Sequence, residues 1–146
     1  VNVEEAICAR VAGLTAVIAL ASTRVYLDKF PQSPTYPAVR VQLVDDADEQ
    51  HLRGPLGIKR ARVQIDHCAH ESSGSDPYAE AETLAAATKG DGLGTSASGI
   101  AGFKGTIGSP AFAIEDCKPV LRTRDYDPAE LRVVTIRQDY DVTYRG

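Results

Sequence analysis

Cysteine is scarce in this chain of 146 residues. The three present, Cys8, Cys68 and Cys117, are far apart and never form a C-x-x-C pair. An odd, scattered set argues against a disulfide framework and for a reducing compartment, with the thiols serving as small hydrophobes or half-exposed strand residues. Long apolar runs are missing too. The most apolar stretch, Val11 to Ala21, falls short of the roughly 20 residues of a membrane helix. It also lacks the basic flank and cleavage pattern of a signal peptide, so no membrane partner is expected. Position 1 is valine, and methionine is absent throughout, so the true start is expected upstream. Positive charge is in deficit: 16 Lys and Arg against 20 Asp and Glu leave a net charge of −4. A stand-alone nucleic-acid binder is usually basic, because phosphate neutralisation dominates its affinity, so specific nucleic-acid binding is disfavoured.

Catalytic motifs are equally thin. There is no G-x-S-x-G, and Ser96 and Ser98 have no identifiable base. Glu115-Asp116 and Asp45-Asp46 are adjacent carboxylates, which is not the opposed geometry of acid/base catalysis. The glycines at 90, 92 and 94 and at 99, 102 and 105 match no phosphate-binding motif and follow a helix instead of linking a strand to one. His67, Cys68 and His70 are close in sequence. Successive strand residues face opposite sides, however, so His67 and Cys68 cannot chelate together, and no second ligand pair stands at zinc spacing. No catalytic, cofactor-binding or metal-ligating residue is assigned, and no enzyme activity is expected.

What is there is a well-patterned globular chain, 43% hydrophobic and 25% charged. From Arg60 to Ala69 the sequence alternates strictly. Ala61, Val63, Ile65, His67 and Ala69 share one face, and Arg60, Arg62, Gln64, Asp66 and Cys68 share the other. Such a strand belongs to a sheet with one side on a core and the other in water or against a partner. Residues 38–44 alternate likewise and form a hairpin with it. The last strand sets Val134, Ile136, Gln138, Tyr140, Val142 and Tyr144 against Val133, Thr135, Arg137, Asp139, Asp141 and Thr143. A further strand is expected over Ala111–Cys117, followed by a polar turn at Arg122–Pro128.

Val3, Ile7, Val11, Leu14 and Ile18 recur at helical spacing behind Asn2 and Glu5, a capping-box pattern, and predict one helix from about Val3 to Ala21. Asp76 with Pro77 opens a second, short helix that has Tyr78, Ala81, Leu84, Ala85 and Thr88 on one face and ends near Lys89-Gly90. Three prolines, Pro31, Pro34 and Pro37, mark an extended connector. Residues 90–109, rich in Gly, Ser and Thr, are expected to form a mobile loop, part of it pinned to the core by Ile100 and Phe103. The order α-β-β-α-β-β predicts an α+β domain spanning 1–146, with an antiparallel sheet of about four strands and two helices on one face.

The candidate functional feature is the acidic stretch between the first two main strands. Asp45, Asp46, Asp48 and Glu49 put four carboxylates in five positions, with Arg53 just beyond. It reads either as a solvated turn or as a loop that contacts a partner.

Five phrases carry a family resemblance. They are Thr23-Arg24-Val25-Tyr26 leading to Tyr36-Pro37-Ala38-Val39; Leu52-Arg53-Gly54-Pro55 running into Arg60–Asp66; Tyr78-Ala79-Glu80-Ala81; Gly102-Phe103-Lys104-Gly105-Thr106-Ile107-Gly108; and Arg124-Asp125-Tyr126 before a strand ending Val142-Thr143-Tyr144-Arg145. In this order they resemble the tail-completion proteins of long-tailed phages, also called tail terminators or head–tail joining proteins. The stretch from Gly90 to Ser98 departs from the family as an insertion. The resemblance implies a structural virion protein, made in the bacterial host cytoplasm and located in the tail and neck. It implies self-association into a ring, commonly a hexamer, with the tail-tube protein and a neck or head-completion protein as partners. The ring would end tube polymerisation, and genome DNA would pass through its lumen without specific binding. Another neck component, a head-completion or connector protein, is the alternative. A small ligand-binding α+β domain is a more distant one, since it would need converging polar groups that the sequence does not show.

Overall fold

The computed structural model describes residues 2–32, 34–51, 54–71, 76–90, 99–107, 112–127 and 132–145. The described residues form three helices, α1 (Val3–Gly13), α2 (Thr15–Ala21) and α3 (Pro77–Lys89). Six strands accompany them: β1 (Val25–Leu27), β2 (Ala38–His51), β3 (Gly54–His70), β4 (Gly105–Ile107), β5 (Phe112–Asp127) and β6 (Val133–Arg145). They join in one mixed sheet of order β1-β2-β3-β6-β5-β4. The α+β class holds, while the expected four antiparallel strands and two helices become six strands and three helices.

The departures have local causes. The expected helix over 3–21 breaks at Leu14, whose ψ of 125° is extended and whose N–H turns back to the Val11 carbonyl. The break re-aims the second segment, so Val17 and Ala21 are buried and Ile18 is 48% exposed. β1 and β4 have three residues each, too few to show an alternating pattern. β1 also runs parallel to β2, pairing Val25 with Val39 and Leu27 with Val41. The polar turn expected at Arg122–Pro128 is strand through Asp127, because β6 pairs with it as far as Asp127 opposite Val133. Pro119 is tolerated there at an irregularity of a strand near the sheet edge.

The long strands face as their alternation predicts. Ala61, Val63, Ile65, His67 and Ala69 of β3 are buried, as are Val134, Ile136, Tyr140, Val142 and Tyr144 of β6. α3 lies over β3 and β6, and it begins with Asp76 accepting from the Tyr78 N–H at 3.0 Å. α1 packs against β1 and β2 at one end of the strand order and against β4 at the other, so the sheet curls around it. The core of Ile7, Val11, Val41, Ile65, Leu84, Ile100 and Tyr140 fills that curl.

Residues 91–98, 108 and 109 of the expected mobile loop lie outside the described residues, but residues 99–107 are built in. The Ile100 N–H bonds to the Thr88 carbonyl at 2.9 Å, and the Gly102 N–H bonds to the Cys117 carbonyl at 2.7 Å. Arg10 of α1 donates to the Gly99 carbonyl from Nε and Nη2 and lies 3.7 Å from the Phe103 ring centroid. Gly99 has φ +93°, and a Cβ there would meet the Lys89 and Gly90 backbone at 2.6 Å. Only glycine joins this segment to the end of α3 without displacement.

Candidate functional site

The acidic stretch is not a loop. Asp45, Asp46, Asp48 and Glu49 lie within β2, which runs without a break to His51. The misreading has a physical cause. Clustered carboxylates look like a turn, yet the pairing with β3 holds to Asp48 opposite Lys59 and, past a second register irregularity, resumes at Gln50 opposite Pro55 and His51 opposite Gly54. β6 leaves β3 at Ile58, so the last part of the β2–β3 hairpin runs beyond β6. The Asp48 and Glu49 side chains and all of Arg53 lie outside the described residues.

A bulge decides where the first two carboxylates go. Leu43 opposes Val63, but Asp45 opposes Arg62, so one extra residue, Val44, is accommodated between them. Bulges reverse the parity of a strand and re-aim its side chains. Without it, Asp45 would share the core face with Val41 and Leu43. With it, Asp45 joins the open face opposite Arg62, and Asp46 opposes the buried Ala61. Asp46 then accepts the Tyr144 hydroxyl, 2.7 Å from both carboxylate oxygens. Tyr144 stacks on Phe112 at 5.2 Å. These residues, with Asn2, Val3, Glu4, Leu43 and Lys59, line a cleft of about 440 Å³ at the start of α1. Val44 is left 51% exposed.

The sheet face turned away from the helices is a lattice of charge. Asp66, with 1% of its side chain exposed, takes Arg137 Nε at 2.9 Å and Arg40 Nε at 3.1 Å, and Arg40 Nη2 adds a closer contact. Its hydrogen bond holds the Arg137 guanidinium above its ordinary pKa. Arg62 donates to Asp139 at 3.1 Å. The proline-rich connector brings aromatic cover: Phe30 lies 5.4 Å from the Arg40 guanidinium, and Tyr36 stacks on His70 at 5.7 Å. Phe30 and Tyr36 border a hollow of about 270 Å³ together with Arg40, Asp66, Cys68 and Arg137. Alternation placed Asp66 on the polar face, but nothing in β3 itself signals its burial, because the cover comes from a distant segment.

The His67–Cys68–His70 run divides between faces. His67 is fully buried beneath the helices, with Nδ1 3.0 Å from the Ile136 carbonyl. Cys68 faces the other way, its thiol pushed up to about 11 by burial. Among the described residues no group of three or more His, Cys, Asp or Glu is placed to hold a metal. Among them, too, no helix is long and apolar enough to cross a membrane.

Residues 5–94, more than half of the chain, match the family described as "Tail completion protein gp17". The chain belongs to this family. Membership makes it a structural protein of the phage tail, located in the virion at the tail and neck. The matched span carries α1 from Glu5 onward, α2, α3 and β1–β3. A chain from the virion of a native gene transfer agent particle shares the whole fold, with a TM-score of 0.69 over 99% of this chain and 95% of that one, at 15% identity. No curated protein matches this tail completion chain.

Proposed function

We propose that this chain is the tail terminator: residues 1–146 act as one domain, and copies close into a ring, a hexamer by family resemblance, on the end of the tail tube. The ring ends tube polymerisation and offers its other surface to the neck protein beneath the capsid. No enzymatic step is part of this role. The observation that carries the proposal is the tail-completion match over residues 5–94. Head-to-tail contacts between unlike surfaces of one chain close into a ring when their rotation fits, so a single small protein suffices. The net charge of −4 suits a lumen along which DNA slides without sticking. The acidic segment Asp45, Asp46, Asp48 and Glu49, with Arg53, serves as a partner contact at the end of the β2–β3 hairpin.

Mixing the protein with its tail-tube subunits during polymerisation tests this. Tubes of limited length, capped at one end in negative-stain images, are expected. Tubes that grow without limit in its presence would defeat the proposal, and binding to portal complexes in place of tube ends would favour a connector role.

A further inference from the structure

Two strand edges on opposite sides of the sheet are only partly covered. β1 pairs with β2 over Val39–Val41, and among the described residues no strand pairs with the outer edge of β2 from Gln42 onward. β4 pairs with β5 over Phe112–Ile114 and the Gly102 N–H donates to the Cys117 carbonyl, and among the described residues no strand pairs with the outer edge of β5 beyond Cys117. Long open edges invite pairing or contact with another chain.

The ladder registers put the two open windows at the same level. Asp45 opposes Arg62, Arg62 opposes Asp141, and Asp141 opposes Lys118. This row crosses the open face with strictly alternating charge, negative at the β2 edge and positive at the β5 edge. Exposed apolar residues stand beside both ends. Val44, at the β2 bulge, is 51% exposed; Val120 and Leu121, at the second β5 irregularity, are 41% and 50% exposed. Level with Leu121, across Asp139 and Gln64, is Gln42 on β2. On the open face each edge therefore presents an apolar patch beside one charge, and the two charges are opposite.

We infer that the edge of β2 around Val44–Asp45 of one copy docks on the edge of β5 around Lys118–Leu121 of the next copy. Val44 meets Val120 and Leu121 there, and Lys118 meets Asp45, so the alternating row continues from subunit to subunit. Strand directions agree with a ring. β2 is antiparallel to β3, β3 to β6 and β6 to β5, so β2 and β5 run in opposite directions. A rotation about an axis along the strands brings unlike edges together in antiparallel sense, the geometry of a heterologous contact. The inference rests on the ring proposed above and names its subunit interface.

The test uses the full chain assembled on its own tail tubes. In a Cys8→Ser background, Val44→Cys and Leu121→Cys are combined and treated with a short bismaleimide. A ladder of covalent multimers ending at the ring number is expected from the pair, with neither single variant forming a ladder. Rings that are visible by microscopy but yield only monomers overturn this interface while leaving the ring itself standing. A wild-type chain that caps tubes without forming rings overturns both. A dimer from Val44→Cys alone means a two-fold contact and overturns the head-to-tail arrangement. Charge exchange guards against misfolding of the cysteine variants, since both residues are exposed. Asp45→Lys and Lys118→Asp should each cut ring yield at least tenfold, and the double variant should regain most of it. A double variant no better than the singles overturns the Asp45–Lys118 pairing.

Discussion

Acid should loosen the core through His67. The ring is 0% exposed, and its Nδ1 lies 3.0 Å from the Ile136 carbonyl. Nε2 has no hydrogen-bond partner among the described residues. The neutral tautomer with the proton on Nδ1 satisfies this site: N–H donates to the carbonyl, and the bare nitrogen faces its buried surroundings. Protonation would put a charge and a second N–H where neither is solvated, and this desolvation lowers the pKa from 6.5 to about 4. Between those values the unfolded chain holds more protons than the native one, so stability rises with pH through that window and is lost as pH falls through it. At about 1.4 kcal/mol per tenfold difference in proton affinity, the loss reaches about 3 kcal/mol below pH 4, with about 2 kcal/mol gone by pH 5. Carboxylates titrate in the same range, so the assay is a comparison. Urea midpoints of wild type and His67→Leu are measured across this window. The stability gap between them should move toward the variant by about 2 kcal/mol between pH 7 and pH 5. Two parallel curves would refute the reasoning, as would an NMR titration that finds His67 protonated near its ordinary pKa.

Three further outcomes follow from the packing. Gly99→Ala should cost about 2–4 kcal/mol, because the residue needs positive φ and its methyl would overlap the end of α3; a melting temperature within a degree of wild type would contradict this. Asp66→Ala should destabilise by about 2–3 kcal/mol by leaving Arg40 and Arg137 without their shared buried carboxylate, and chemical denaturation that finds Asp66→Ala as stable as wild type would show the triad to be dispensable. Under native conditions a maleimide should label Cys8 first. Cys68 and Cys117, buried and with thiols pushed up to about 11 and about 12, should react only on unfolding, as mass mapping of the labelled peptides would show.

Much of the fold was legible wherever one side of an element is buried. The alternation in β3 and β6 identified the core face residue by residue, including His67, because a two-residue period leaves no choice of side. The Asp76–Pro77 start and Gly90 stop of α3 were equally plain, since capping needs particular side chains at particular places. Elements defined by tertiary pairing alone left no mark. β1 is held by its neighbour, with the Val39 N–H bonded to the Arg24 carbonyl at 2.9 Å, and β4 is held by β5. The break at Leu14 follows an unremarkable Gly13. The candidate surface was half legible. Its charges were evident, but the Val44 bulge that sends Asp45 to the open face and Asp46 to the core side is a property of the β2–β3 register. Lys118, Val120 and Leu121 were passed over because their strand was expected to end at Cys117.

Cryo-electron microscopy of intact virions tests the central claim most directly. The account predicts a single closed ring of this chain at the head-proximal end of the tail tube, with the β2 edge of each subunit against the β5 edge of the next. Density for the chain repeated along the tube, or confined to the head shell, would contradict it.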